Sequence, residues 1–399
     1  MKKFPHRSGV PGFRFAGIAG GLKKNGDKDI GLILADAPCA AAAAFTKNIV
    51  KAAPVLIGRK RLRDGCAQAV LVNSGNANAC TGSRGMRDAE ASCAALAREL
   101  GIRQGLVLPG STGVIGVPLP VDKITSAVPR LVRAASPSGA ADFCAAIMTT
   151  DTFPKIVALE DTVAGRPLRV CGIAKGAGMI MPNMATMLCY IVTDVAIDRK
   201  LLSAVLRQQV ELTFNRITVD GDMSTNDTVL ALASGKSKID INKVNSITYN
   251  IFINILHEVM KRLATLIVKD GEGATKTLVI QVRNARTEGQ AKQAAMTVAN
   301  SPLVKTAFFG QDYNWGRIMA ALGRSGAQFA MDRVDIFFNA IQSVKNGQGV
   351  ERNIPKLQTV MKKGTIAITV DLKAGAQSCE VTTCDLSYDY VKINADYTT

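Results

Sequence analysis

Apolar runs of strand length alternate with longer amphipathic stretches along all 399 residues, and no Pro/Ser-rich linker, internal repeat or low-complexity segment separates them. That alternation restricts the chain to an α/β architecture, because each helix must bury its apolar stripe against a sheet face. "DIGLILAD", "AQAVLVNSG", "LRVCGIAK", "MLCYIVTDVAID" and "KTLVIQV" read as strands. "GMRDAEASCAALARELG" reads as a helix ending at Gly101, and "DRKLLSAVLRQQVELTF" as a helix with Asp198 placed to cap it. The span Thr228–Ser234 reads as a short helix or strand, and Tyr249–Lys269 as a long helix. The tail, including "YDYVKINADYTT", reads as β-rich. A chain this long exceeds one simple core. Without a linker, interleaved domains fit better than domains strung in series.

Charge and composition narrow the function. The net charge of +17 divides as +12 over residues 1–185 and +5 over 186–399. The densest basic cluster, "GRKRLR" at 58–63, is short and has no interleaved aromatics, and no zinc-finger or RNA-recognition pattern is present. A solvated basic surface is expected in place of a nucleic-acid site, although a basic binding protein without catalysis is a reading the charge alone allows. The nine cysteines are odd in number and form no CxxC, which predicts free thiols in a reducing cytoplasm. "MKKFPHRSGV" lacks a signal peptide's apolar region, and "PCAAAAAF" at 38–45 is too short to span a bilayer, so no membrane partner is expected.

The histidines matter by their scarcity. His6 lies near the terminus and His257 falls within the long helix pattern. A Ser-His-Asp triad and a His-rich metal site are therefore not expected, and any nucleophile needs another base. No Walker motif is present, and neither "GLKKNGDKD" nor "KGAGMIMP" fits GxGxxG. "VDGDMSTND" lacks the Gly and Glu of a calcium loop and reads as a polar loop. No cofactor and no metal are expected.

One stretch points to chemistry. In "KGAGMIMPNMATMLCYIVTD", glycine and proline breakers lead into a largely apolar run that contains the hydroxyl of Thr186. A buried hydroxyl without a partner costs on the order of 1–3 kcal/mol. One reading is a core threonine bonded to a nearby carbonyl. The other is a peptide bond that cuts itself. The Thr186 hydroxyl attacks the Ala185 carbonyl, and hydrolysis of the ester leaves Thr186 as a new N-terminus. Its α-amine, with a reference pKa near ~8, then serves as base for its own hydroxyl.

The same residues resemble the ornithine acetyltransferase family, the glutamate N-acetyltransferases of arginine biosynthesis. "FRFAGIAGGLK", "VNSGNANACTG", "GSTGVIG", "TTDTFPK", "KGAGMIMPNMATML", "FNRITVDGDMSTND", "DGEGATK", "GQDYNWGRI" and "NADYTT" follow the family's order over essentially the whole chain. The resemblance implies a layered α-β-β-α sandwich with interleaved domains, shared with DmpA-like aminopeptidases. It implies cleavage between Ala185 and Thr186 into chains 1–185 and 186–399, assembled as two copies of each. It implies Thr186 as the nucleophile that carries acetyl from N-acetylornithine to glutamate, with Thr112 and Gly113 stabilising the oxyanion. Thr152, Lys175, Glu272, Asn394 and Thr399 match substrate-contacting positions. Acetyl-CoA is a possible second donor, bound as a substrate and not as a resident cofactor. An amidohydrolase or aminopeptidase, with water as the acceptor, is the alternative within the same chemistry. Met223 in "VDGDMSTND" and the loose "FTKNIVKAAP" depart from the family's pattern.

Overall fold

The computed structural model describes residues 1–6, 9–181 and 187–396. Ala185, Thr186 and Thr399 lie outside the described residues. A nine-stranded sheet takes the order Lys2–Lys3, Lys155–Val163, Arg166–Lys175, Leu188–Thr193, Thr228–Ala233, Ile30–Phe45, Cys66–Asn76 and Val107–Val114, with Phe13–Ile18 added beside Ile30–Phe45. Strand Ile30–Phe45 is the hinge of this sheet. Its first half pairs with Phe13–Ile18 and Cys66–Asn76, and its second half with Thr228–Ala233. A register shift between Leu34 and Cys39 separates the halves.

The alternation of side chains along each strand shows how the halves stack. Phe13, Phe15, Ile33, Val70 and Val72 from one half share a core with Cys171, Ile173, Tyr190, Val192, Leu230 and Leu232 from the other. The intervening residues face outward onto helices. Leu32, Leu34, Ala69 and Leu71 pack on Gly82–Leu100 and Val121–Arg133. Cys189, Ile191, Val229 and Ala231 pack on Arg199–Leu212 and Ile247–Lys269. The result is four layers, α-β-β-α, as expected. Helix Ala140–Ile147 wedges between the sheet halves, where Phe143 meets Tyr190 edge-on at 5.4 Å between ring centroids.

Strands from both sides of the 185/186 junction alternate in this sheet, since Arg166–Lys175 pairs with Leu188–Thr193 and Thr228–Ala233 with Ile30–Phe45. Residues after 276 add a second sheet, ordered Gln348–Gly349, Ile341–Lys345, Asp335–Phe338, Thr365–Asp371, Thr277–Ala285 and Gln377–Cys384, with its own core. Within this second unit buried Lys305 ties helix Pro302–Phe309 to strand Gln377–Cys384, its Nζ donating to Thr383 Oγ1 at 3.1 Å and to the Cys384 carbonyl.

The cap at Asp198 forms as read, its side chain accepting from the Lys200 and Leu201 amides. Gly101 closes helix Gly82–Leu100 in the left-handed region. Thr228–Ala233 resolves as a strand. The end of the tail differs from expectation, because Tyr388–Asp396 is a helix with no buried residue. Its β-branched and aromatic residues favour a strand locally. The anchors that override this are tertiary, with Tyr388 edge-on to Phe309 and Asn394 bonded to Glu272.

Candidate active site

A cavity of about 110 Å³ opens where the loops of both sheet halves and the C-terminal helix converge. Its lining includes Thr112, Gly113, Thr149, Thr150, Lys175, Ser224, Thr225, Asn226, Glu272 and Asn394.

One wall is the end of strand Val107–Val114, which runs parallel to Cys66–Asn76 with a register shift at Gly75/Asn76. Such an irregularity re-aims backbone groups at a strand end. Gly113 has φ +130°, and a Cβ there would lie 2.4 Å from the Gly75 carbonyl carbon, so only glycine fits. Asn226 ties this wall to the loop after Val219, with Nδ2 donating to Ala77 O at 2.6 Å and Ser111 O at 2.8 Å.

The facing wall carries charge. Lys175 ends strand Arg166–Lys175, is buried, and donates to Thr149 Oγ1 at 3.0 Å. Burial lowers its pKa, against the opposing pull of the Asp151 carboxylate. Behind it sits a dry ion cluster. Lys155 is fully buried, 2.6 Å from Asp151 Oδ1 and bonded to Asp270. Burial alone acts to raise the Asp151 carboxyl, but Lys175 and Lys155 outweigh it and hold it below the usual range. Thr152 belongs to this cluster and does not line the cavity, as its amide and hydroxyl both donate to Asp270.

Glu272 enters from the loop after helix Ile247–Lys269, its amide bonded to Ala177 O at 2.9 Å. Its carboxylate occupies space that a side chain at 178 would fill. A Cβ on Gly178 would sit 2.3 Å from Glu272 Oε2. Asn394 Nδ2 donates to the same Oε2 at 2.9 Å. Lys175 and Glu272 thus give one cavity a cation and an anion, a pairing that suits a zwitterionic amino acid.

The chain on either side of 182–186 is held by aspartates. Asp151 accepts from the Gly176 amide at 2.7 Å, Asp220 from Ile180 at 2.8 Å, and Asp227 from Met187 at 3.0 Å. Asp227 is buried, its Oδ2 has no hydrogen-bond partner among the described residues, and burial raises its pKa well above the usual carboxylate range.

Sequence reasoning named five of the residues lining the cavity and missed Thr149, Thr150, Ser224, Thr225 and Asn226. All five fall within motifs already quoted, "TTDTFPK" and "VDGDMSTND". The usable signal was their run of short hydrogen-bonding side chains, too polar for a simple turn. Among the described residues no group of His, Cys, Asp or Glu is placed to hold a metal ion. No helix among them is long and apolar enough to cross a membrane.

Fold and cavity together define a class, a four-layer α-β-β-α protein with a small pocket, lined by one lysine and one glutamate, at the end of strand Val107–Val114. The ArgJ family's sequence profile matches residues 14–399. The arginine biosynthesis bifunctional protein ArgJ of Geobacter sulfurreducens is 51% identical over 391 residues, 98% of this chain and 100% of that protein. The protein of the same name from Symbiobacterium thermophilum is 47% identical over 392 residues, 97% of each chain. The crystal structure of the ArgJ protein of Bacillus halodurans, 36% identical, superposes with a TM-score of 0.51 over 52% of this chain and 98% of that one. The chain belongs to the ArgJ family, which bears out the resemblance read from the ordered motifs.

Proposed function

We propose that this chain is a glutamate N-acetyltransferase of arginine biosynthesis, moving acetyl from N2-acetyl-L-ornithine to L-glutamate through an ester on Thr186. The observation that carries the reading is the convergence of Thr112, Gly113, Lys175, Glu272 and Asn394 on one cavity, in a chain matched to the family over nearly its full length. The reaction begins with a cut. Thr186 Oγ attacks the Ala185 carbonyl carbon, the peptide C–N bond breaks, and water hydrolyses the resulting ester. Ala185 keeps a carboxylate and Thr186 gains a free α-amine. The chains 1–185 and 186–399 stay interleaved in one sheet, and two of each form the assembly.

In the transfer cycle the α-amine takes the hydroxyl proton as Oγ attacks the acetyl carbonyl. The amides of Thr112 and Gly113 receive the oxyanion, a contribution of ~2.7–4 kcal/mol per donor in such sites. Ornithine leaves with the proton on its nitrogen. The amine of glutamate then attacks the acetyl-Thr186 ester, and the hydroxyl is restored. Lys175 holds the substrate carboxylate and Glu272 the ammonium, with Asn394 and Thr399 closing the site from the C-terminal tail. Thr152 acts by fixing Asp270 behind Lys175. Asp227 is a positioning residue. By gripping the Met187 amide it holds the residue next to the nucleophile, and its second oxygen is available to the new α-amine.

No resident cofactor is needed. The relatives' name, bifunctional, supports acetyl-CoA as a second donor for glutamate. Nine cysteines without a disulfide suit the cytoplasm. The test is acetylornithine consumption with and without glutamate, combined with mass spectrometry of the purified protein. Two fragments meeting at 185/186 and glutamate-dependent turnover are expected. A single intact chain at full activity, or equal turnover with water alone, would overturn the reading. Acetyl-CoA as sole donor reports the second activity.

A further inference from the structure

Two sequence features have no role in that chemistry, the alanine run "PCAAAAAF" and the basic cluster "GRKRLR". The fold brings them together. The end of strand Ile30–Phe45 pairs along one edge with Thr228–Ala233. Thr46 N donates to Asp227 O, so by alternation Ala42 and Ala44 face the partner strand with their backbone groups, and Ala41, Ala43 and Phe45 face away. The Ala41 amide donates to Gly65 O at 2.9 Å on that outer side. Beyond it, no strand among the described residues pairs with the outer edge at Ala43 and Phe45.

A cavity of about 610 Å³ lies along this edge, large because the strand beside it carries only methyl groups from Ala41 to Ala43. One wall is helix Ala53–Arg61 with the turn after it, and the other is helix Arg199–Leu212. The walls supply Arg59, Arg63, Arg199, Lys200 and Arg207, and no carboxylate lines the cavity. None of the five forms an ion pair among the described residues. The hydrogen bonds of Arg199 and Arg207 go to main-chain oxygens, Asp64 O at 2.6 Å and Ser203 O at 3.2 Å.

Five cations share these walls with no carboxylate in the lining, Asp198 lying within electrostatic reach of Arg199 and Lys200, and an anion seated among them would be attracted by all five. Guanidinium forks match phosphate oxygens in pairs, and free backbone amides add directed donors. We propose that this trough binds a small molecule carrying two or more phosphate groups. The same chemistry is offered by the nucleotide end of an acyl-CoA and by a free oligophosphate such as a nucleoside triphosphate. An acidic peptide added as a strand fits less well, because Ala43 and Phe45 are the only outward positions left on this edge. Single-stranded nucleic acid needs a row of stacking rings, and Phe45 is the one aromatic lining the trough. The site is separate from the acetyl-transfer pocket, and its occupancy does not depend on that reading.

Calorimetric titration tests it, using the purified full chain at about 50 and about 150 mM salt. The probes are inorganic tripolyphosphate, coenzyme A, ATP, orthophosphate and hexaglutamate. Saturable binding of tripolyphosphate is expected, weakened at the higher salt and at least tenfold tighter than orthophosphate. The double variant R59E/R207E, both exposed positions, should lose at least tenfold in affinity while keeping the wild-type circular dichroism. Coenzyme A binding tenfold tighter than tripolyphosphate or ATP assigns the trough to an acyl-CoA. Equal affinities assign it to free oligophosphates. Absence of saturable binding, an unchanged affinity in the folded double variant, or hexaglutamate binding as tightly as tripolyphosphate overturns the proposal.

Discussion

The pocket at Lys175 and the trough at Arg59 treat positive charge in opposite ways. In the pocket the cations are dry and answered, Lys155 by Asp151 and Asp270, and Lys175 by the field of Asp151. In the trough they are exposed to solvent, five side chains with no carboxylate among the lining residues. A buried charge survives only beside its partners, so Lys155 is part of the fold, while Lys175 also lines the cavity. A solvated charge needs none, so the second set is free to serve a ligand.

The largest expected effect tests whether the pocket is the reacting region at all. Thr186→Ala should leave the chain uncut by mass spectrometry and lower acetyl transfer by ~10³-fold or more, as loss of a nucleophile does. Transfer at the wild-type rate would remove Thr186 from the mechanism. Next, the two regions should differ in what one deletion does to folding. Asp270→Ala strands the buried Lys155 with one partner and should destabilise by about 3–5 kcal/mol in urea unfolding. Arg63→Ala in the trough should stay within about 0.5 kcal/mol of wild type. Equal losses would break the contrast.

A smaller effect belongs to Asp227. Burial keeps its carboxyl protonated to well above the usual range, and amide at this position imitates the neutral form. Asp227→Asn should match wild type at acid pH and fall behind as pH rises through the raised pKa. The pH–rate profile reads this, and a constant ratio at every pH would deny the charge a role. The smallest effect lies outside both regions. Asp194 accepts from the Arg169 amide at 3.0 Å, and burial raises its pKa to about 6. Because its folded pKa exceeds the unfolded value near ~3.9, the unfolded chain ionises first. Wild-type stability should therefore decline as pH rises from about 4 to about 6, relative to Asp194→Asn. Above that window the variant should melt a few degrees higher, and below it the two should coincide. A variant that melts lower at neutral pH would show that the ionised carboxylate stabilises the fold.

Much of the fold is legible residue by residue. Asp198 announces its helix because a carboxylate can accept two free amides there. The outer strands betray their alternation. The alanine run was harder, since alanine prefers helix locally, and only pairing with Thr228–Ala233 makes it a strand. The helix Tyr388–Asp396 was misread for a related reason. It buries nothing of its own and is held by Glu272 and Phe309. Within the pocket, the motifs lead to segments that line the cavity, but not every residue named in them lines it. "TTDTFPK" contributes Thr149 and Thr150 to the lining, while Thr152 turns back onto Asp270.

The sequence by itself determined the layered α/β class, the poverty in histidine that demands another base, and the ordered motifs that mark the family. These are local patterns, and local patterns survive in one dimension. Tertiary structure alone decided which carboxylate answers which lysine, that Gly178 is bare because Glu272 fills its space, and that an alanine edge and two basic helices enclose one trough. Each of those depends on groups far apart in the chain, and their separation in space follows from packing that no short stretch encodes.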